Sequence, residues 1–238
     1  MKKTLLTLMV TIVGLTTLSA QTLDEVLKNH FTAIGQDKVL NVKDMTINGK
    51  MVQMGLEIPF SQFLARPGMV RVEGTFQGLT FIQTYNLKEG WNLNPFTGQS
   101  EPQPFGEDEL KSMKYQSDMD GMLWNWKDKG YNVILDGTEE VEGTGCFKVK
   151  LTTPDGDVFT SFIDTEDFML LRLNSKVKVQ GNQAESDSYF SNYLQESGMV
   201  FPGKTETRMN GQTITTIVVE KVSINTGLDP KIFEKPGK

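Results

Sequence analysis

Apolar positions recur at helical intervals first near the start of the chain. Leu23, Val26, Leu27, His30, Phe31 and Ile34 fall on one face of a helix that Thr22 and Glu25 open with capping-box spacing and Gly35 closes. A shorter helical turn is expected over residues 37–42. From residue 44 the period changes to two, and short alternating runs are separated by glycine, proline and Asn-Gly punctuation, which predicts an antiparallel meander. The run Leu79-Thr80-Phe81-Ile82-Gln83-Thr84-Tyr85 carries apolar side chains on both faces, so something should cover that strand on each side.

Residues 94–105 are rich in Pro, Gly and Gln and read as a long loop. Beyond them, Leu110 and Met113, then Met119, Met122, Leu123 and Trp126, return to helical spacing with Gly121 as a weak point. One broken or hinged helix is therefore expected over residues 107–126. Alternation resumes over residues 131–135, 146–152, 158–164, 170–179, 186–194, 200–209 and 213–225. Pro154-Asp155-Gly156 and Asn210-Gly211 are hairpin-type turns between such runs. No repeat or linker divides the pattern, so a single domain is expected over residues 21–238.

The first twenty residues stand apart. Lys2 and Lys3 precede an uncharged apolar run over residues 5–18 and then Ser19-Ala20, the layout of a secretory signal. The run falls short of the roughly 20 apolar residues of a bilayer span, which an uncleaved anchor would need. Export to the periplasm is the expectation. Without the two signal lysines, 22 basic residues face 30 acidic ones, a net charge of −8. Such a balance, with no basic patch, argues against nucleic acid or an anionic membrane surface as the main partner.

The residues available for chemistry are few. Cys146 is the only cysteine, so no disulfide forms within the chain. Alternation places it opposite Phe147, Val149 and Leu151, where a small strand residue is a simpler reading than a reactive thiol. His30 is the only histidine and lies on the apolar helix face, and no G-x-S-x-G elbow exists to complete a triad with it. The acidic clusters Glu107-Asp108-Glu109 and Glu139-Glu140 lack EF-hand spacing, and no phosphate loop or zinc-ligand set is present. No catalytic residue, metal or cofactor is expected, and a carboxylate pair brought together by the fold is the remaining enzymatic alternative. Composition favours a soft apolar pocket: ten of the 12 methionines follow residue 20, and Met113, Met119 and Met122 cluster beside Trp124 and Trp126. They would serve either as a movable cover or simply as packing against the sheet.

Three segments then stand out in order and spacing: Ala65-Arg66-Pro67-Gly68-Met69-Val70-Arg71, Tyr85-Asn86-Leu87-Lys88-Glu89-Gly90-Trp91, and Asn94-Pro95-Phe96. Together they resemble the periplasmic outer-membrane lipoprotein carrier (LolA-like) family, with looser matches at Phe162-Ile163-Asp164 and Phe201-Pro202. The chain departs from the typical carrier in its greater length and its Met-rich segment. The resemblance implies a mainly β fold, a half-open antiparallel barrel of roughly 10–12 strands wrapped around an N-terminal helix and a mid-chain lid helix. It implies a monomeric, non-enzymatic carrier that binds acyl chains of lipoproteins or another lipid and takes them toward the outer membrane, between an inner-membrane donor and an outer-membrane acceptor. A non-transporting envelope scaffold or stress sensor on the same fold is the alternative. Arg66 matches the arginine that ties down the lid in that family. Phe81, Trp91, Phe96, Met113, Met119, Met122 and Trp124 are the further candidates for the cavity or its cover.

Overall fold

The computed structural model describes residues 21–237, so the secretion signal expected over residues 1–20 lies outside them. Helix α1 (Leu23–Ile34) begins at the expected reciprocal cap: the Thr22 hydroxyl accepts from the Glu25 amide, and the Glu25 carboxylate accepts from the Thr22 amide. It ends at Gly35, whose φ of 70° is the left-handed conformation that glycine takes most easily. A single turn, α2 (Gln36–Val39), follows directly.

Five strands then form a meander: β1 (Asp44–Gln53), β2 (Leu56–Ala65), β3 (Met69–Phe76), β4 (Leu79–Tyr85) and β5 (Gly90–Leu93). The region expected to be a plain loop contains a 3-10 turn at Pro95–Thr97 and a two-residue strand, β6 (Gln103–Pro104). Helix α3 (Glu107–Gln116) comes next, and then β7 (Asn132–Val141), β8 (Thr144–Thr152), β9 (Val158–Asp164), β10 (Leu170–Val179) and β11 (Asn182–Ser191). A small hairpin of β12 (Leu194–Glu196) and β13 (Met199–Phe201) leads to β14 (Lys204–Met209) and β15 (Gln212–Ile224).

Thirteen strands make one sheet in the order β6-β5-β4-β3-β2-β1-β15-β14-β11-β10-β9-β8-β7, and β12 and β13 pair separately. The strands pair antiparallel, and β6 and β7 are left as free edges, so the barrel is half-open as expected and carries more strands than expected. One unexpected strand is β6, which at two residues is too short to show a period.

The concave face is covered unevenly. Over β7–β10, Val26 and Leu27 of α1 pack with Val133, Val149, Leu151, Phe159 and Ile163. Beside α2 and α3, Val39, Met113 and Met199 pack with Met45, Leu64, Val70 and Phe105. Gly90 permits the second arrangement, because a Cβ there would lie 2.4 Å from Phe105 and 3.1 Å from Leu110. Alternation along β8 holds: Phe147, Val149 and Leu151 face the α1 core, and Cys146 is buried on the other face against Val141 and Phe162. The convex face of β3 and β4 is covered by the C-terminal segment. Fully buried Phe233 accepts a hydrogen bond at its carbonyl from Thr84 Oγ1 (2.9 Å), and Arg71 donates to the Ile232 carbonyl (3.0 Å).

Helix α3 is shorter than the expected hinged helix and stops at Gln116. Residues 117–130 are turns, with Gly121 and Asn125 at φ 79° and 47°. Lys129 closes them by donating to Asp118 (2.5 Å) and to the Gly121 carbonyl (2.8 Å). These bonds suit a compact turn and leave the backbone without a helical ladder. Met119, Met122, Leu123 and Trp126 still point inward onto the two cores, which explains why their spacing mimics a helix.

Candidate binding cavity

One part of the concave face is left uncovered by the helices, and there a cavity of about 820 Å³ opens between β1–β5, β14, β15 and the end of the small hairpin. The pleat dictates its lining. On β1, Ile47 and Met51 face inward, on β2 Ile58, Phe60 and Gln62, on β4 Leu79, Phe81 and Gln83, and across the join Ile217, Val219 and Val222 of β15. None of the lining residues is charged: fifteen are apolar and eight are Gln, Asn or Thr.

Two glycines shape the floor. Across the sheet the register runs Val219, Gly49, Phe60, Gly74, Phe81, so that each aromatic ring has a glycine beside it. A Cβ at Gly74 would lie 2.5 Å from the Phe81 ring, and one at Gly49 2.1 Å from the Val218 carbonyl and 3.1 Å from Phe60. Rings laid over strand glycines fill the gap left by the missing side chain and let the sheet curve. The next row inward, Val222, Ile47, Gln62, Val72, Gln83, Asn92, is half amide. At the opposite end, Leu56, Leu79 and Phe96 are 47%, 45% and 43% exposed, and Met54, in the β1–β2 turn, is 93% exposed.

Of the residues singled out in the sequence, Phe81 and Phe96 line this cavity. Phe96 is held at the rim by the 3-10 turn, where the Asn94 side chain accepts from the Phe96 amide (3.1 Å) and the ring sits 6.4 Å from Phe76. Trp91 lies on the convex face instead, under the Lys235 ammonium at 4.4 Å, because its neighbour Asn92 takes the inward position of β5. Met113 is buried in the core beside α3, Met119 packs on that core, Met122 joins the α1 core, and Trp124 meets Phe31 edge-on at 5.0 Å. From the mid-chain segment only Gln116 reaches the cavity.

Arg66 is not a lining residue but a tie. It makes a bidentate pair with Asp120 (2.5 and 3.1 Å) and donates to the carbonyls of Val42 (2.7 Å) and Val39 (3.0 Å), joining β2 to α2 and to the turns after α3. Hydrogen bonding to Asp120 raises the guanidinium pKa. A second tie, with no signal in the sequence beyond Lys111 and Tyr115 at i, i+4, holds α3 from the other side. Asp157 is fully buried in the β8–β9 turn and accepts from Lys111 Nζ (2.9 Å), the Tyr115 hydroxyl (3.0 Å) and the Lys178 amide (3.0 Å). Burial pushes its carboxyl up, but the Lys111 pair and the hydrogen bonds outweigh that and hold it below the usual range. His30 is buried away from the cavity. Its Nδ1 lies 2.8 Å from the Phe168 carbonyl, which can only accept, so Nδ1 carries the proton.

Three solved structures share this architecture across nearly their whole length. A DUF1329 family protein from Desulfovibrio piger superposes with a TM-score of 0.62 at 16% identity, covering 88% of this chain and 97% of its own. A LolA superfamily protein from Nitrosomonas europaea gives 0.60 at 12% identity, covering 91% and 99%. The fold is LolA-like. An outer membrane lipoprotein-sorting protein domain from Vibrio parahaemolyticus gives 0.54 at 12% identity, covering 87% and 97%. No protein-family profile matches the chain, and no curated protein matches its sequence. In LolA-like terms, the half-open sheet is the barrel, α1 and α3 are its inner helices, and the uncharged cavity lies over the part of the sheet that they leave uncovered.

Proposed function

We propose that this chain is a periplasmic carrier that holds the acyl chains of a lipoprotein, or of another lipid, in the concave cavity and moves them toward the outer membrane. The observation that carries the reading is a cavity of about 820 Å³ without a single charged residue in its lining. That size lies in the roughly 300–1,000 Å³ range of small-molecule sites. Burying about ten methylenes at about 0.8 kcal/mol each yields some 8 kcal/mol before the cost of association, enough for useful and reversible binding without directional chemistry. Binding without reaction is consistent with the placement of His30 and Cys146, both buried away from the cavity.

The test is mass spectrometry of lipid extracted from the protein purified from its native periplasm. Stoichiometric acylated material supports the carrier and identifies its load. A lipid-free protein that also fails to bind acyl probes in solution refutes it, and leaves an envelope scaffold or sensor on the same fold.

A further inference from the structure

A second cleft, sharing no residue with the concave cavity, opens between α1, α2 and the turns after α3, with a volume of about 830 Å³. Its lining is of another kind. Three aromatic rings, Phe31, Trp124 and Trp126, stand among three aspartates and two lysines. Both tryptophans are half-buried, in the turn at Asn125. An indole N–H withdrawn from water usually finds an acceptor, yet among the described residues neither of these two has one. Gln36 carries the point further. It is only 3% exposed, its Nε2 donates to the Asp120 carbonyl (2.9 Å), and its Oε1 accepts no hydrogen bond among the described residues. A side chain this deep is normally satisfied at both ends, so the cleft holds a buried acceptor for which the protein supplies no donor. The side chains of Asp24, Lys28, Asn125 and Asp128, at its borders, are likewise without a polar partner.

We infer that this cleft is a saccharide site, and that its ligand is an uncharged oligosaccharide bearing acetamido groups. The reading does not depend on what the concave cavity holds. A hydrocarbon chain would strip water from five charged side chains and give them nothing in return. An anion would meet the three carboxylates, and a cation would meet Lys28 and Lys127, whose ammonium already stands 5.1 Å from the centroid of the Trp126 ring. A neutral sugar escapes both conflicts. Its ring has an apolar C–H face that can lie on an indole and a border of hydroxyls that donate to carboxylates and accept from ammonium groups. An acetamido group adds what the remaining lining asks for: an N–H for Gln36 Oε1, a carbonyl for an indole N–H, and a methyl for Leu40, which lines the cleft while 37% exposed. The volume suits a ligand of a few rings, since it lies within the roughly 300–1,000 Å³ of small-molecule sites.

The experiment is isothermal titration calorimetry of the purified protein with triacetylchitotriose and with cellotriose, which share one backbone and differ only in acetamido against hydroxyl groups. The expected result is binding of triacetylchitotriose at least about tenfold tighter than cellotriose, the worth of about one neutral hydrogen bond. Gln36→Leu should bring the two sugars to equal affinity, and Trp124→Ala should weaken both at least about tenfold, with thermal melting to show that each variant is folded. Neither sugar should displace an apolar fluorophore, N-phenyl-1-naphthylamine, from the concave cavity. No binding of either sugar overturns the inference and leaves the cleft as a surface for a protein partner. Equal affinities in the parent protein, an unchanged preference in Gln36→Leu, or displacement of the fluorophore by sugar also overturn it.

Discussion

Replacing Asp157 with alanine should loosen α3 without disturbing the cavity floor. The carboxylate is fully buried and satisfies three donors at once, the Lys111 ammonium, the Tyr115 hydroxyl and the Lys178 amide, at 2.9–3.0 Å. Removing one partner of a buried ion pair typically costs about 3–5 kcal/mol. The Lys111 side chain keeps 23% of its exposure and can turn its charge to water, so the low end, about 3 kcal/mol, is expected. For a chain of this size that lowers the melting temperature by about 6–12 °C. Differential scanning calorimetry gives the total, and hydrogen exchange should place the loss in residues 107–116. Asp157→Asn keeps one acceptor oxygen for the Lys178 amide, and its amide nitrogen can donate to the Tyr115 hydroxyl, so it should cost less. Lys111→Met should cost little once Asp157 is already alanine, since the two side chains act as one unit. A melting temperature of Asp157→Ala within about 1 °C of the parent would refute the reasoning, as would full additivity with Lys111→Met. The same carboxyl sets a pH dependence. Its folded pKa lies below the ordinary 3.8, so its contribution is complete above about pH 4 and is lost as pH falls toward the depressed value.

Gly74→Val should force the Phe81 ring from its place, cost about 1–3 kcal/mol and abolish fluorophore binding in the cavity; unchanged binding would show that the ring does not shape the floor. Arg66→Leu strands the Asp120 carboxylate and the carbonyls of Val39 and Val42, and should destabilise by about 2–4 kcal/mol in urea unfolding while speeding lipid entry. Phe233→Ala should cost about 3–5 kcal/mol by emptying a fully buried site on the convex face, measured by the same unfolding. Burial lowers the His30 pKa below 6.5, with the Phe168 carbonyl partly opposing, so the unfolded chain binds a proton that the folded one does not. Stability should therefore decline as pH falls below about 6.5, and His30→Leu should flatten that slope.

The helix and most strands were legible because each carries its own local signal. Thr22 with Glu25 and Gly35 bracket α1, and Asn210-Gly211, both at positive φ, form the tip of the β14–β15 hairpin as their dipeptide implies. The double-sided pattern of β4 also had its cause: Phe81 faces the cavity and Ile82 faces the C-terminal segment. What could not be read was which inward face would stay uncovered, because that depends on where α2, α3 and the small hairpin come to rest. Trp91 and Asn92 show the difficulty, since adjacent residues face opposite sides and only register decides which meets the cavity. The isolated glycines Gly49 and Gly74 within alternating runs were the available signal for a curved floor under large rings. The Met-rich segment misled because its inward side chains keep helical spacing on a chain of turns.

The two ends of the sheet carry a further consequence. A barrel left unclosed exposes unpaired backbone along both borders, the kind of template on which other chains add strand by strand. Here β6 is only two residues long and ends in Pro104, which has no amide hydrogen to offer. On the other border, β7 is broken by a bulge at Asp136-Gly137, with Gly137 at φ 82°, and carries Glu139 and Glu140 beyond it. A bend and adjacent negative charge spoil a neighbour's register there. The molecule thus leaves its sheet unclosed without offering its borders as a seed for fibres.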